Sequence, residues 1–143
     1  MFRTKLTVRY AETDQMGVVH HSRYFPWFEV GRTEFMASAG LPYSEIEKMG
    51  VWFPLTDCSA KFIRGAKYGD EVFVEASLAL LTPARARFGY SVLRAADGVL
   101  LATGETGHAF STPQMKPMNL KKAHPEIYAM LEGLAGKCIV EGK

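Results

Sequence analysis

Cysteine is scarce in this chain: Cys58 and Cys138 are the only two, far apart and without a C-x-x-C pair. That pattern supports neither a disulfide framework nor a cysteine-based zinc site, and the expectation is two reduced thiols in a cytoplasmic protein. An excess of either charge is missing too. Seventeen Lys and Arg stand against fifteen Asp and Glu, a formal net charge of +2, whereas a nucleic-acid binder would show a concentrated basic face. No apolar run approaches the ~20 residues a membrane-spanning helix needs, so no membrane insertion is expected. The start, Met1-Phe2-Arg3-Thr4-Lys5, carries no leader pattern and leads straight into an alternating segment. Internal repeats, low-complexity stretches and an H-E-x-x-H motif are all absent.

What is present is 143 residues, 48% of them apolar. That suits one domain over 1–143 with a substantial core. Leu6-Thr7-Val8-Arg9-Tyr10 alternates as a half-buried strand does. Residues 11–17 break the alternation and read as a loop. From Ser22 the period changes: Tyr24, Phe28, Gly31 and Phe35 recur at spacings of three and four, widened by Trp27 and Val30. The spacing predicts a long helix with an aromatic buried face, N-capped at Ser22 and stopped at Gly40. Gly31 inside it costs about 1 kcal/mol relative to alanine, which makes sense if the helix presses on a sheet there. Residues 42–49 suggest a second, short helix.

From Gly50 to Thr112 the chain reads as strands. Val72, Val74, Ala76, Leu78 and Leu80 alternate with other residues, as do Phe88, Tyr90 and Val92, and Asp97-Gly98 is a hairpin-turn signal before a strand over 100–110. Residues 113–117 are an irregular exit. Ile127, Met130, Leu131 and Leu134 predict a last helix over 124–134, and the end at 137–143 is expected to fray. One aromatic helix and one extensive antiparallel sheet make an α+β layer in which the sheet wraps the helix.

The chemically informative stretch joins the first strand to the long helix: Tyr10-Ala11-Glu12-Thr13-Asp14-Gln15-Met16-Gly17-Val18-Val19-His20-His21-Ser22-Arg23-Tyr24. A helix N-terminus offers unpaired backbone N–H groups to an oxygen that turns anionic in a transition state. A carboxylate beside it, such as Asp14, can supply a base or a nucleophile. Glu12 lies two residues from Asp14, and in an extended segment the two would share a side and raise one another's pKa. Adjacent histidines do not make a metal site without further ligands at suitable spacing, so no metal is expected at His20-His21. Trp27, Phe28 and Phe35 read as core, and Glu29 with Arg32 as a structural or interface ion pair.

Residues 13–24, followed by Trp27-Phe28-Glu29 and Arg32, resemble the active-site segment of the 4-hydroxybenzoyl-CoA thioesterase family. The closer likeness is to its Tol–Pal-associated bacterial branch, which reads T-D-x-x-G-V-V-Y-H-x-x-Y-x-x-x-F-E-x-x-R. Gly40-Leu41, Ala60-Lys61-Phe62 and Tyr68-Gly69-Asp70 extend the match. The resemblance implies the hotdog fold, a curved antiparallel sheet around one long central helix. It implies acyl-CoA hydrolysis without metal or cofactor, CoA being part of the substrate, in a homodimer or homotetramer with sites at subunit interfaces. It assigns Asp14 as the catalytic carboxylate, His21 as the residue whose backbone N–H polarises the thioester carbonyl, and Gly17 as the tight-turn glycine.

His20 stands where the branch usually has tyrosine, which bears on the acyl pocket; Tyr24 borders the same region. Because CoA carries a 3′-phosphate and a diphosphate, Arg85 and Arg87 near the Pro83 turn, and Arg64 with Lys67, are its candidate cations. An acyl-carrier protein presents the same phosphopantetheine and is a possible partner. A hydratase on this fold relies on an Asp and His at a shorter spacing, which the stretch from Asp14 to His20 does not match. A non-catalytic acyl-CoA binder is the third possibility, since fold alone does not fix function.

Overall fold

A computed structural model describes residues 2–141, with side chains as far as 135. The expectation for the Cys138 thiol lies outside the described side chains; of the end expected to fray at 137–143, residues 137–141 continue a helix and 142–143 lie outside the described residues. Strand β1 is Phe2–Thr7, earlier than the alternation of 6–10 suggests. The reason is local. Val8 N–H still bonds to Asp70 O, but Arg9 N–H is captured by the Glu12 side chain at 2.9 Å. That bond closes a capping box, and Tyr10–Glu12 turns as a short 3-10 helix rather than extending.

Helix α1 spans Tyr24–Ser38 and α2 Tyr43–Lys48. A 3-10 turn at His21–Arg23 precedes α1, capped by His20, whose side chain accepts from Ser22 N–H; the cap position of α1 itself is Arg23, one residue past the expected Ser22 and without a side-chain cap bond. Gly40 ends α1 as expected, with Leu41 N–H reaching back to Met36 O at 3.0 Å. The remaining elements are β2 (Leu55–Phe62), β3 (Glu71–Leu81), β4 (Arg85–Arg94), β5 (Leu100–Ala109), α3 (Leu120–Ala123) and α4 (Pro125–Glu141). Asp97-Gly98 makes the β4–β5 turn.

The strands form one five-stranded antiparallel sheet in the order β1-β3-β4-β5-β2. Its inner face carries Val72, Val74, Ala76, Ala86, Phe88 and Val92, all fully buried. Helix α1 lies on that face, and the Phe28 ring stacks on Tyr90 at 4.6 Å. The helix comes so close that a Cβ at Gly31 would stand 2.8 Å from Val74 Cγ1, which is the pressed contact the sequence implied. Helix α4 adds Ile127, Leu131 and Leu134 to the same core. Register shifts in β3–β4 and β4–β5 bend the sheet. This is the hotdog arrangement. No helix among the described residues is long and apolar enough to cross a membrane.

Candidate active site

The loop between the 3-10 turn at Tyr10–Glu12 and α1 folds back on itself. Thr13 and Val19 pair across it, and Asp14 N–H donates to Val18 O at 2.8 Å. Gly17 N–H closes the turn onto Asp14 O at 3.0 Å, with Gly17 at φ +81°, a conformation that costs a residue with Cβ. Two bonds tether the loop to its surroundings: Val19 N–H to Ala66 O and His20 N–H to Glu12 O, both 2.9 Å. The consequence is a fixed Asp14. Its Oδ1 accepts from Met16 N–H at 2.9 Å, and its Oδ2 accepts no hydrogen bond among the described residues.

Asp14 borders two cavities. The first, about 280 Å³, is walled by Val18, Val19, Tyr24, Phe62 and Ile63, with His21 and Arg64 at its edge. The His21 N–H, first in its helical turn, has no backbone acceptor among the described residues. A half-buried carboxylate with one free oxygen thus shares a small apolar cavity with a residue whose backbone donor is unpaired. The second cavity, about 630 Å³, is open and lies between Asp14, Gly17, Tyr10 and Tyr68.

Of the residues singled out from sequence, Asp14, His21, Tyr24 and Arg64 come together at the first cavity and Gly17 at the second. His20 lines neither; it is exposed and caps its turn through Nδ1, 2.8 Å from Ser22 Oγ. Lys67 also lines neither, but it pairs with Val18, a wall of the first cavity, in an isolated antiparallel bridge. Lys67 N–H donates to Asp70 Oδ2 at 2.9 Å, but neither its ammonium nor the Arg64 guanidinium has a carboxylate partner among the described residues. Arg85 and Arg87 begin β4, at the end of the sheet away from Phe62 and Asp14. Arg87 is committed to Asp57 at 2.8 Å and Glu105 at 3.1 Å.

Glu12 departs from expectation. The capping turn points it inward, where Oε2 accepts the Trp27 indole N–H at 3.0 Å, and it lines neither cavity of Asp14. Burial alone would raise its pKa, but the Arg9 N–H, the Trp27 indole and the Arg9 charge hold it below the ordinary value. A second feature escaped the sequence reading altogether. Arg32 is buried, and beyond its 3.8 Å approach to Glu29 it contacts Tyr43, Tyr90 and His108. The available signal was in β5, where Thr106 and His108 occupy inward positions of a strand.

A family model for the thioesterase-like superfamily matches residues 8–123. The hypothetical protein TT1821 from Thermus thermophilus superposes with a TM-score of 0.87 at 40% identity, covering 94% of this chain and 99% of that one. A DHNA-CoA thioesterase from Staphylococcus aureus gives 0.88 at 29% identity, over 99% and 95%. A Bacillus subtilis protein provisionally named an acyl-CoA thioesterase, YneP, is 31% identical over 130 residues, 91% of this chain and 94% of its own.

Proposed function

The chain belongs to the thioesterase-like superfamily and is a thioester hydrolase, and from that premise we propose that it cleaves acyl-CoA to a free acid and CoA with Asp14 as its catalytic carboxylate. The observation that carries this reading is the pairing at one cavity of the free Asp14 Oδ2 with the unpaired His21 N–H. The thioester carbonyl oxygen accepts the His21 N–H, which stabilises the charge that develops on it. Asp14 then attacks the carbonyl carbon, giving a mixed anhydride that water hydrolyses, or it takes a proton from an attacking water. In either route the C–S bond breaks and the electron pair leaves on sulfur. A thiol pKa near ~8.5 makes that thiolate a good leaving group without a strong general acid.

The acyl group occupies the cavity of Val18, Val19, Tyr24, Phe62 and Ile63, and Arg64 and Lys67 supply free cations for the phosphates. Within the superfamily, the motif from Thr13 to Arg32 favours the Tol–Pal-associated branch. The site is completed by a second copy. Strand β2 is a sheet edge on which Leu55 (57%), Phe62 (49%) and the adjoining Ile63 (52%) are exposed, an edge that asks for a partner. Antiparallel β2–β2 pairing about the strand's middle sets the Leu55 end of one copy, with its Arg85 and Arg87, beside the Phe62 end of the other.

The test is an acyl-CoA panel from acetyl to palmitoyl, with benzoyl and 4-hydroxybenzoyl, scored by released thiol for the native chain and Asp14→Asn. Turnover that collapses in the variant supports the reading. Undiminished turnover removes Asp14 from the mechanism, and no turnover on any CoA ester moves the substrate to an acyl-carrier protein. A monomer by light scattering at micromolar concentration would refute the shared site.

A further inference from the structure

Arg32 lies on α1, 9% exposed, and its nearest carboxylate is Glu29 at 3.8 Å, on a side chain that is 70% exposed. Its Nε donates to Tyr43 Oη at 2.7 Å, and Nη1 points at Tyr90 Oη (3.4 Å) and His108 Nε2 (3.3 Å). Nη2 makes no hydrogen bond among the described residues. The protons in this cluster can be placed by its partners. His108 Nδ1 faces Phe53 O at 3.2 Å and must carry hydrogen to bond there. Nε2 is then an acceptor, for Arg32 and for Thr106 Oγ1 at 2.9 Å. Thr106 Oγ1 accepts in turn from Tyr90 at 2.6 Å. Tyrosine and histidine are therefore both neutral, and the cluster holds one buried positive charge with no hydrogen-bonded counter-ion. Buried guanidinium groups are ordinarily paired.

The open side of this cluster is a cavity of about 430 Å³ lined by Arg32, Thr106 and His108, by Phe25, Phe53 and Leu55, and by Glu29, whose largely exposed carboxylate an incoming anion would displace from beside Nη2. Its size and its mixture of apolar walls with a few polar groups are those of a small-molecule site. It does not contain Asp14. We propose that this cavity binds an organic anion, a carboxylate or phenolate on an aromatic or short apolar body, with Arg32 Nη2 as its counter-ion and Phe25, Phe53 and Leu55 around its body. The alternative role, in which Arg32 only ties α1 to α2 and the sheet, leaves the spare donor and the cavity without a use.

The anion has two sources, a free acid or the far end of the acyl group. The second rests on the acyl-CoA reading above and on β2–β2 pairing. That pairing places the partner's copy of this cavity, which reaches the surface at Leu55 and Cys58, beside the Asp14 cavity, which reaches it at Phe62 and Ile63.

Calorimetric titration of the full chain with benzoate, and with benzamide as its neutral isostere, tests the site. Benzoate should bind and benzamide should not. Arg32→Lys should weaken benzoate about tenfold or more, the scale of a lost charge-assisted hydrogen bond, while Asp14→Asn leaves it unchanged. Should Arg32→Lys fail to fold, the native chain still decides: benzoate must move the His108 ring resonances in the NMR spectrum. Equal affinity for the two probes, no binding of benzoate, or binding that leaves His108 unmoved would overturn the proposal. Adipoyl-CoA and hexanoyl-CoA separate the sources. A fall in kcat/KM in Arg32→Lys for adipoyl-CoA alone identifies the acyl end, and an unchanged ratio beside Arg32-dependent benzoate binding identifies a free acid. Arg32-dependent binding with no turnover of any thioester would count against the acyl-CoA reading and leave the anion site standing.

Discussion

The Trp27 indole N–H donates to Glu12 Oε2 across 3.0 Å, and both groups are buried. This bond joins the segment that carries Asp14 to α1, the helix that follows the His21 turn. The same carboxylate holds Arg9 N–H through Oε1, so Glu12 clamps the start of the loop as well as its far wall. It is a positioning residue, two places from the proposed catalytic one and facing the opposite way.

Trp27→Phe removes the donor and leaves a buried carboxylate short of one partner. The expected loss is about 1–3 kcal/mol in urea unfolding, the desolvation cost of such a group. Since the indole also fills core volume, Glu12→Gln is the sharper companion. It keeps its one oxygen for the indole, sets an NH2 group where Arg9 N–H needs an acceptor, and loses the charge that Arg9 faces. A fall in kcat with KM little changed would mark a displaced Asp14. An effect on unfolding alone would mark a purely structural clamp.

For Asp14→Asn the loop geometry itself argues that the fold survives. The amide oxygen still accepts Met16 N–H, so unfolding midpoints should coincide with the native chain. Turnover should drop ~100-fold or more, as for a lost general base. A loss of stability comparable to the loss of activity would show that Asp14 serves the turn rather than the chemistry.

Much of this was legible in the sequence because it is local. The loop and the helix that follows are set by residues within a few turns of one another, and the glycine at 31 marks from within that helix its press against Val74. The pieces that escaped are non-local. Arg32 and His108 meet across 76 positions, and the helical spacing offered only Glu29 as a partner for Arg32. Strand β2 falls within the run of strands expected from Gly50 to Thr112, but the sequence did not mark its bounds. Its residues are almost all exposed, so Leu55–Phe62 lacks the alternation that marks a strand with one buried face. Glu12 misled because its side chain competes with the strand for Arg9 N–H and wins, which reverses the direction it points.

Gly31→Ala sets two effects against each other. Alanine favours the helix by about 1 kcal/mol over glycine. The new methyl, however, arrives 2.8 Å from Val74 Cγ1 on a buried strand, and overpacking a tight core costs about 1–3 kcal/mol. The clash should prevail, and Val74→Ala in the same chain should recover most of the loss. A more stable Gly31→Ala would mean that Val74 turns aside freely and that the helix is not pressed on the sheet.

The buried His108 makes stability depend on pH in a defined window. Burial, with the Arg32 charge beside it, holds its pKa down at about 4 against an ordinary 6.5. Phe53 O and Asp57 pull the other way without prevailing, and Arg87 adds to the Arg32 effect. Above pH 6.5 the ring is neutral folded and unfolded, so it contributes no pH dependence. Between 6.5 and 4 the unfolded chain takes up a proton that the folded chain refuses, and stability falls. At 1.36 kcal/mol for each unit, the loss approaches about 3 kcal/mol by pH 4 and then levels off. Glu12 acts in a different window, since its lowered pKa withdraws stability only below its ordinary value of 4.5. Urea unfolding at pH 7.5 and 5.0 therefore isolates His108. The native chain should lose stability between the two, and His108→Gln, less stable at pH 7.5, should show a much flatter profile. Parallel profiles for the two proteins would mean that another group governs this window and that His108 is protonated in the folded chain more readily than its burial beside Arg32 allows.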